Sequence, residues 1–96
     1  MKTEQELNDF FERLKKELEE TTSFPTSYLY KFIVPATDEN IKTIRNIFKE
    51  TDAEIKTRPS SAGKYTGVSV TVTLPNPDAV IHYYREVGKI EGILSL

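Results

Sequence analysis

From Val68 to Leu74 the chain alternates strictly. Val68, Val70, Val72 and Leu74 are apolar, and Ser69, Thr71 and Thr73 between them are small and hydroxylated. A period of two carried on β-branched residues specifies a strand with one face against a core and the other face free. Pro75 ends it, and Asn76-Pro77-Asp78 begins a helix at once, with an N-cap side chain, a proline at the first helical position and an acid in the first turn. A half-buried strand feeding directly into a helix calls for a layered domain, with helices laid on one side of a sheet.

The same two periods recur upstream. Tyr28, Tyr30, Phe32 and Val34 alternate with Leu29, Lys31 and Ile33, predicting a strand from Ser27 that Pro35 ends. Thr37 or Asp38 caps a helix whose buried stripe is Ile41, Ile44, Ile47 and Phe48. Ala53, Ile55 and Thr57 alternate with Glu54, Lys56 and Arg58, a more polar strand suited to a sheet edge. Residues 59–64 have loop composition. The helix after Asn76 carries Val80, Tyr83, Tyr84 and Val87, with Ile81 beside them. Gly88 is expected as the left-handed residue closing it, with Ile90 folding back over the last turn. Residues 93–96 read as a short final strand. The order β-α-β-β-α-β predicts an α+β, ferredoxin-like sandwich with sheet order 4-1-3-2 and both helices on one face.

Ahead of this unit, residues 4–20 place Leu7, Phe10, Phe11, Leu14 and Leu18 on one stripe of an amphipathic helix. Thr21, Thr22 and Ser23 before Phe24-Pro25 break it. Residues 1–23 carry net charge −3 and the remainder +1, so the chain divides into an accessory N-terminal helix with linker (1–23) and a ferredoxin-like domain (24–96). A helix this short is marginal alone in water. The expectation is that it docks within its own chain on the open sheet face, covering Leu29, Ile33 and one of Ile93 or Leu94. The alternative is pairing with the same stripe on a second copy. The expected state is a monomer or weak homodimer.

At 96 residues and 11.0 kDa the chain has room for one domain. It has no cysteine and a single histidine, which excludes disulfides, thiolate chemistry, iron–sulfur clusters and multi-histidine metal sites. No cofactor is expected. A net charge of −2 gives no global pull toward nucleic acid or anionic membrane. No apolar run reaches the length of a membrane span, and the first residues lack the apolar core of a secretory signal, so a cytoplasmic location is expected.

The segment Arg58-Pro59-Ser60-Ser61-Ala62-Gly63-Lys64-Tyr65-Thr66-Gly67 gathers two cations, two seryl hydroxyls and two glycines. Backbone N–H groups there could line an anion nest, and Arg58, Ser60, Ser61, Gly63, Lys64 and Tyr65 are the candidate ligand-binding residues. The same composition also describes a plain hairpin connection. It is not a phosphate-binding loop of the Walker type, since no helix opens after it. His82 lies off the buried stripe of its helix with no nucleophile beside it, which suits a solvated side chain better than a general base. An RNA-recognition surface needs aromatics on the open face of the central strands, where Leu29, Lys31, Ile33, Ser69, Thr71 and Thr73 are expected instead. An acylphosphatase needs an arginine loop directly after the first strand, where Pro35-Ala36-Thr37-Asp38 stands.

Phe24-Pro25, Tyr30-Lys31, the run Arg58-Pro59-Ser60-Ser61 followed by Gly63, Tyr65 and Val68-Ser69, then Tyr84 and Gly88-Lys89-Ile90, together resemble the YbeD-like family of small bacterial cytoplasmic proteins of unknown function. The resemblance covers Phe24 to Leu96, and residues 1–23 depart from the family pattern. It implies the β-α-β-β-α-β fold, similar to ACT domains that bind small effectors, and it supplies no catalytic residues. The expected function is a non-catalytic regulatory or adaptor domain that binds a partner protein or a small anionic metabolite. The alternative is an enzyme subunit whose site is completed across a dimer by Arg58, Lys64, Tyr65 and His82.

Overall fold

Caps and prolines set the element boundaries in the computed structural model, which describes residues 3–95. Helix α1 spans Glu4–Thr21, capped by the Thr3 hydroxyl accepting from the Glu6 N–H. Strand β1 runs Thr26–Pro35, and α2 spans Asp38–Ile47. Thr37, of the two candidates, caps α2 by accepting from the Asn40 N–H. Strands β2 (Glu54–Pro59) and β3 (Tyr65–Leu74) form a hairpin. Helix α3 spans Pro77–Val87, with the Asn76 side chain accepting from the Ala79 N–H at 2.8 Å. Strand β4 is the pair Leu94–Ser95, and Leu96, expected to extend it, lies outside the described residues.

The architecture is α+β. Three long strands pair antiparallel in the order β2-β3-β1, and β4 adds to the far side of β1 through Ile33↔Leu94 and Phe32↔Ser95. The polar strand β2 takes the edge, as its composition requires. Tyr30, Phe32 and Val34 of β1 and Val68, Val70, Val72 and Leu74 of β3 are buried under α2 and α3, with Ile44, Val80 and Val87 from the helices and Phe48 from the C-cap of α2. Buried tyrosine needs a partner for its hydroxyl. Tyr30 donates to the Val80 carbonyl at 2.8 Å, and the Tyr28 and Tyr84 hydroxyls meet at 3.0 Å. Burial raises the hydroxyl pKa of both Tyr30 and Tyr84 well above the ordinary phenol range, where phenolate would have to form out of water.

Two expectations are corrected. Gly88 closes α3 in right-handed geometry (φ −62°), and the left-handed glycine of this turn is Gly92 (φ 79°). A Cβ at Gly92 would sit 3.0 Å from the Pro35 ring, so both the conformation and the close approach call for glycine there.

The second correction concerns α1. It docks within its own chain, but on α3 and the rim of the core, leaving the open sheet face uncovered. Leu18 is 8% exposed and belongs to the main apolar cluster, with Leu14 and Phe24 packed against it. The Phe11 ring lies 6.2 Å from that of Tyr84, and the Arg85 guanidinium stands 4.6 Å over Phe11 while donating to Asn8 Oδ1 at 2.8 Å. Lys15 pairs with Asp78 at 3.0 Å, which raises the lysine pKa. The reason is local. The half-buried rings of Tyr28 and Tyr84 leave an apolar edge to the core, and α3 adds a cation and an anion that match α1. The sheet face instead scatters Leu29, Ile33 and Leu94 among hydroxyls and cations.

Candidate functional site

The β2–β3 hairpin places the candidate residues. Pairing sets Arg58 opposite Gly67 and Pro59 opposite Thr66, and Gly67 in turn lies opposite Ile33 of β1. Arg58, Gly67, Ile33 and Leu94 therefore form one cross-strand row on the open face. Gly67 carries no side chain, so the row dips at its middle. The dip opens into a depression of about 510 Å³ lined by Arg58, Pro59, Ser60, Ser61 and Tyr65 around Gly67 and Ile33.

The loop closes on itself. The Ser60 N–H donates to the Tyr65 carbonyl at 2.9 Å, the Tyr65 N–H donates to Ser60 Oγ at 3.3 Å, and the Gly63 N–H donates to the Ser60 carbonyl at 3.1 Å. Gly63 supplies the left-handed turn (φ 72°). The Lys64 carbonyl accepts from the Ala36 N–H at 3.0 Å, tying the hairpin to the turn after β1. Three of the amides that an anion nest would use are thus engaged within the loop, and the polar groups facing the depression are the Arg58 guanidinium and the seryl hydroxyls. Among the described residues no carboxylate pairs with Arg58.

Of the six candidates, Arg58, Ser60, Ser61 and Tyr65 come together, while Gly63 shapes the turn and Lys64 does not line the depression. The sequence places Gly67 in the candidate segment for its backbone N–H alone and gives no sign of Ile33 in the site. What joins them is the strand register: once β2, β3 and β1 are aligned, Ile33 and Gly67 share a row with Arg58. Lys31 and Lys56 flank the next row through Ser69, and Lys56 lies 3.6 Å from Glu54. Tyr65, 42% exposed, is on this face as well.

His82 lies elsewhere. It is exposed, with its ring 5.0 Å from that of Tyr83, and it borders a second depression of about 720 Å³ with Asp52, Thr73 and Asn76. Tyr65 and Leu74 are opposite ends of β3, about 30 Å apart at the usual rise per residue. His82 and Arg58 therefore do not share a site within one chain. Asp52 has a structural task there: its Oδ1 accepts from the Thr73 N–H at 2.9 Å, and the bonds from Thr73 lower its carboxyl pKa. Among the described residues no group of three or more acidic or histidine side chains converges as a metal would need, and no helix is long and apolar enough to cross a membrane.

Residues 19–96 match the profile of a family described as "Protein of unknown function (DUF493)". The UPF0250 protein YbeD of Escherichia coli is 31% identical over 81 residues, covering 81% of this chain and 93% of that protein. The UPF0250 proteins of Serratia proteamaculans and of Enterobacter sp. (strain 638) are 33% and 32% identical with the same coverage. The resemblance to YbeD-like proteins therefore holds. Among solved structures, the ACT domain from the GTP pyrophosphokinase of Chlorobium tepidum superposes with a TM-score of 0.52, covering 74% of this chain and 100% of that domain. At 13% identity that likeness is one of fold.

Proposed function

We propose that this chain, which belongs to the DUF493 family of proteins of unknown function, is a non-catalytic regulatory domain that binds a small anionic metabolite at Arg58. The observation carrying the reading is the depression over Gly67, where a guanidinium with no carboxylate partner among the described residues stands beside the Ser60 and Ser61 hydroxyls. A guanidinium presents a fork of donors matched to carboxylate or phosphate, and hydroxyls complete such a shell. Ile33 and the Tyr65 ring offer apolar contact to whatever carries the anion. We read the sheet as the ferredoxin-like order 4-1-3-2 with a short fourth strand, a reading the ACT-domain likeness supports. A chain without cysteine suits a reducing cytoplasm.

Titration with inorganic phosphate and with small carboxylates tests the site. The amides of residues 58–67 should shift together and saturably, and Arg58→Ala should abolish the response. A response that survives Arg58→Ala, or that falls at the helix N-termini instead, would overturn the assignment. A thermal-shift screen of amino acids and nucleotides then narrows the ligand, because a molecule that binds only the native state raises the melting point. Turnover of a hit would favour the enzyme-subunit alternative; binding without turnover supports regulation. An adaptor role with a protein partner is the second reading, favoured by Leu29 and Leu94, which stand 51% and 55% exposed on the same sheet face.

A further inference from the structure

Gly67 lies inside β3, between β2 and β1, where neither the backbone nor its neighbours require a glycine. The register of β3 runs unbroken from Tyr65 to Leu74 against β1 and from Thr66 to Thr71 against β2, so no bulge falls there. The positive φ values among the described glycines belong to Gly63 and Gly92. A Cβ placed on Gly67 would meet only the Arg58 carbonyl, at an ordinary contact distance of 3.5 Å. A glycine inside a strand costs backbone entropy and leaves nothing to pack. With a bulge, a left-handed turn and a crowding backbone set aside, what it provides is room for a ligand to lie against the sheet.

That room has one charged edge and apolar walls. Among the described residues the depression is lined by one cation, Arg58, and by no acid, with Ile33, Pro59 and the Tyr65 ring around it. Lys31 and Lys56 belong to the next row, and Lys56 lies 3.6 Å from Glu54. A single guanidinium fork matches one carboxylate, and the Ser60 and Ser61 hydroxyls can serve the same oxygens. An ammonium group beside that carboxylate would lose water and find no counter-charge. From Arg58 across Gly67 to Ile33 is two strand spacings, about 10 Å, which sets a short reach for the rest of the molecule. We propose that the depression takes a monocarboxylate with a short hydrocarbon body and no α-ammonium group, its head on Arg58 and its body over Gly67 against Ile33. The inference rests on the Arg58 anion site and adds the class of molecule that carries the anion. Gly67 is then a specificity residue, because its missing side chain is the space that the hydrocarbon fills.

Titrations of the full chain with acetate, butyrate and hexanoate at equal ionic strength, followed by the amide shifts of residues 58–67, test the class. Inorganic phosphate and norleucine, which is hexanoate with an α-ammonium group, are run beside them. Affinity should rise by about twofold per added methylene, half the free energy of full burial, because one side of the ligand stays in water. Norleucine should bind more weakly than hexanoate by about fivefold or more. Gly67→Val should melt no lower than wild type, since valine suits a strand better than glycine, while its affinity for hexanoate falls to that of acetate. Ile33→Thr keeps the β-branched shape and should shrink the gain per methylene. If acetate and phosphate bind through Arg58 but hexanoate binds no tighter than acetate, this inference fails and the anion site stands. If no anion shifts these amides, both fall. Norleucine binding as tightly as hexanoate would also overturn the proposal. So would a Gly67→Val protein that melts below wild type, which returns the glycine to a structural role, or one that keeps the wild-type affinity for hexanoate.

Discussion

Replacing Leu18 by alanine should destabilise the protein far more than replacing Leu7, although the two stand on one stripe of α1 about three turns apart. Leu18 is 8% exposed and shares an apolar cluster with Tyr30 and Val80, whereas Leu7 is 38% exposed. Truncating a core leucine to alanine costs about 2–5 kcal/mol, depending on how far the site collapses. Leu18 sits at the rim, where half-buried Leu14 and Phe24 can close over part of the gap, so about 2–3 kcal/mol is expected. Leu7 already meets water, and its loss should stay below about 1 kcal/mol. For a chain of this size each kcal/mol moves the melting midpoint by about 4–8 °C, so Leu18→Ala should lower it by about 10–20 °C. Urea unfolding followed by circular dichroism measures both changes. Equal losses at the two positions would refute the docking on α3. A Leu18→Ala loss under about 1 kcal/mol would show that α1 is not part of the core.

Gly92→Ala should cost about 1–3 kcal/mol, combining a left-handed φ with a Cβ pressed against Pro35. Gly63→Ala, with a similar φ and open space around it, should cost about 1 kcal/mol, and the difference measured by urea unfolding isolates the Pro35 contact. Asp52 has a folded-state pKa below its unfolded value, so its stabilising effect is present above the ordinary carboxylate range and is lost as pH falls through the folded value. Thermal melts of wild type and Asp52→Asn should therefore differ near neutral pH and converge in acid; a gap that persists in acid would deny the carboxylate its part in holding Thr73.

The strands and helices of this chain were legible because period, caps and stops agree at each boundary. Val68 to Pro77 is the clearest instance, with Pro75 and Asn76 falling where β3 and α3 meet. The docking of α1 was not legible. Its stripe states that five side chains need cover, but which surface receives them depends on Tyr28 and Tyr84 being half-buried at one edge and on Arg85 and Asp78 facing the right way. Those are tertiary facts with no local period. The site divides in the same way. Arg58, Ser60, Ser61 and Tyr65 stand out by residue type and Gly67 by its place in the same segment, while Ile33 joins them only through register across the strands. Gly88 and Gly92 show the limit of a local rule, because both follow α3, yet the left-handed conformation falls on Gly92, beside Pro35, and Gly88 stays right-handed.

The tyrosine cluster makes the molecule its own optical probe. With five tyrosines and no tryptophan, the chain keeps three of its chromophores, Tyr28, Tyr30 and Tyr84, with ring centres 4.8–6.2 Å apart where β1, α3 and α1 converge. Near-ultraviolet dichroism and intrinsic emission therefore report from the seam that holds α1 to the domain. Burial keeps the Tyr30 and Tyr84 hydroxyls protonated to higher pH than an ordinary phenol, so opening of the core should bring their phenolate absorbance in at lower pH. Tyr65, alone on the other side of the sheet beside Arg58, gives an unlabelled view of the depression.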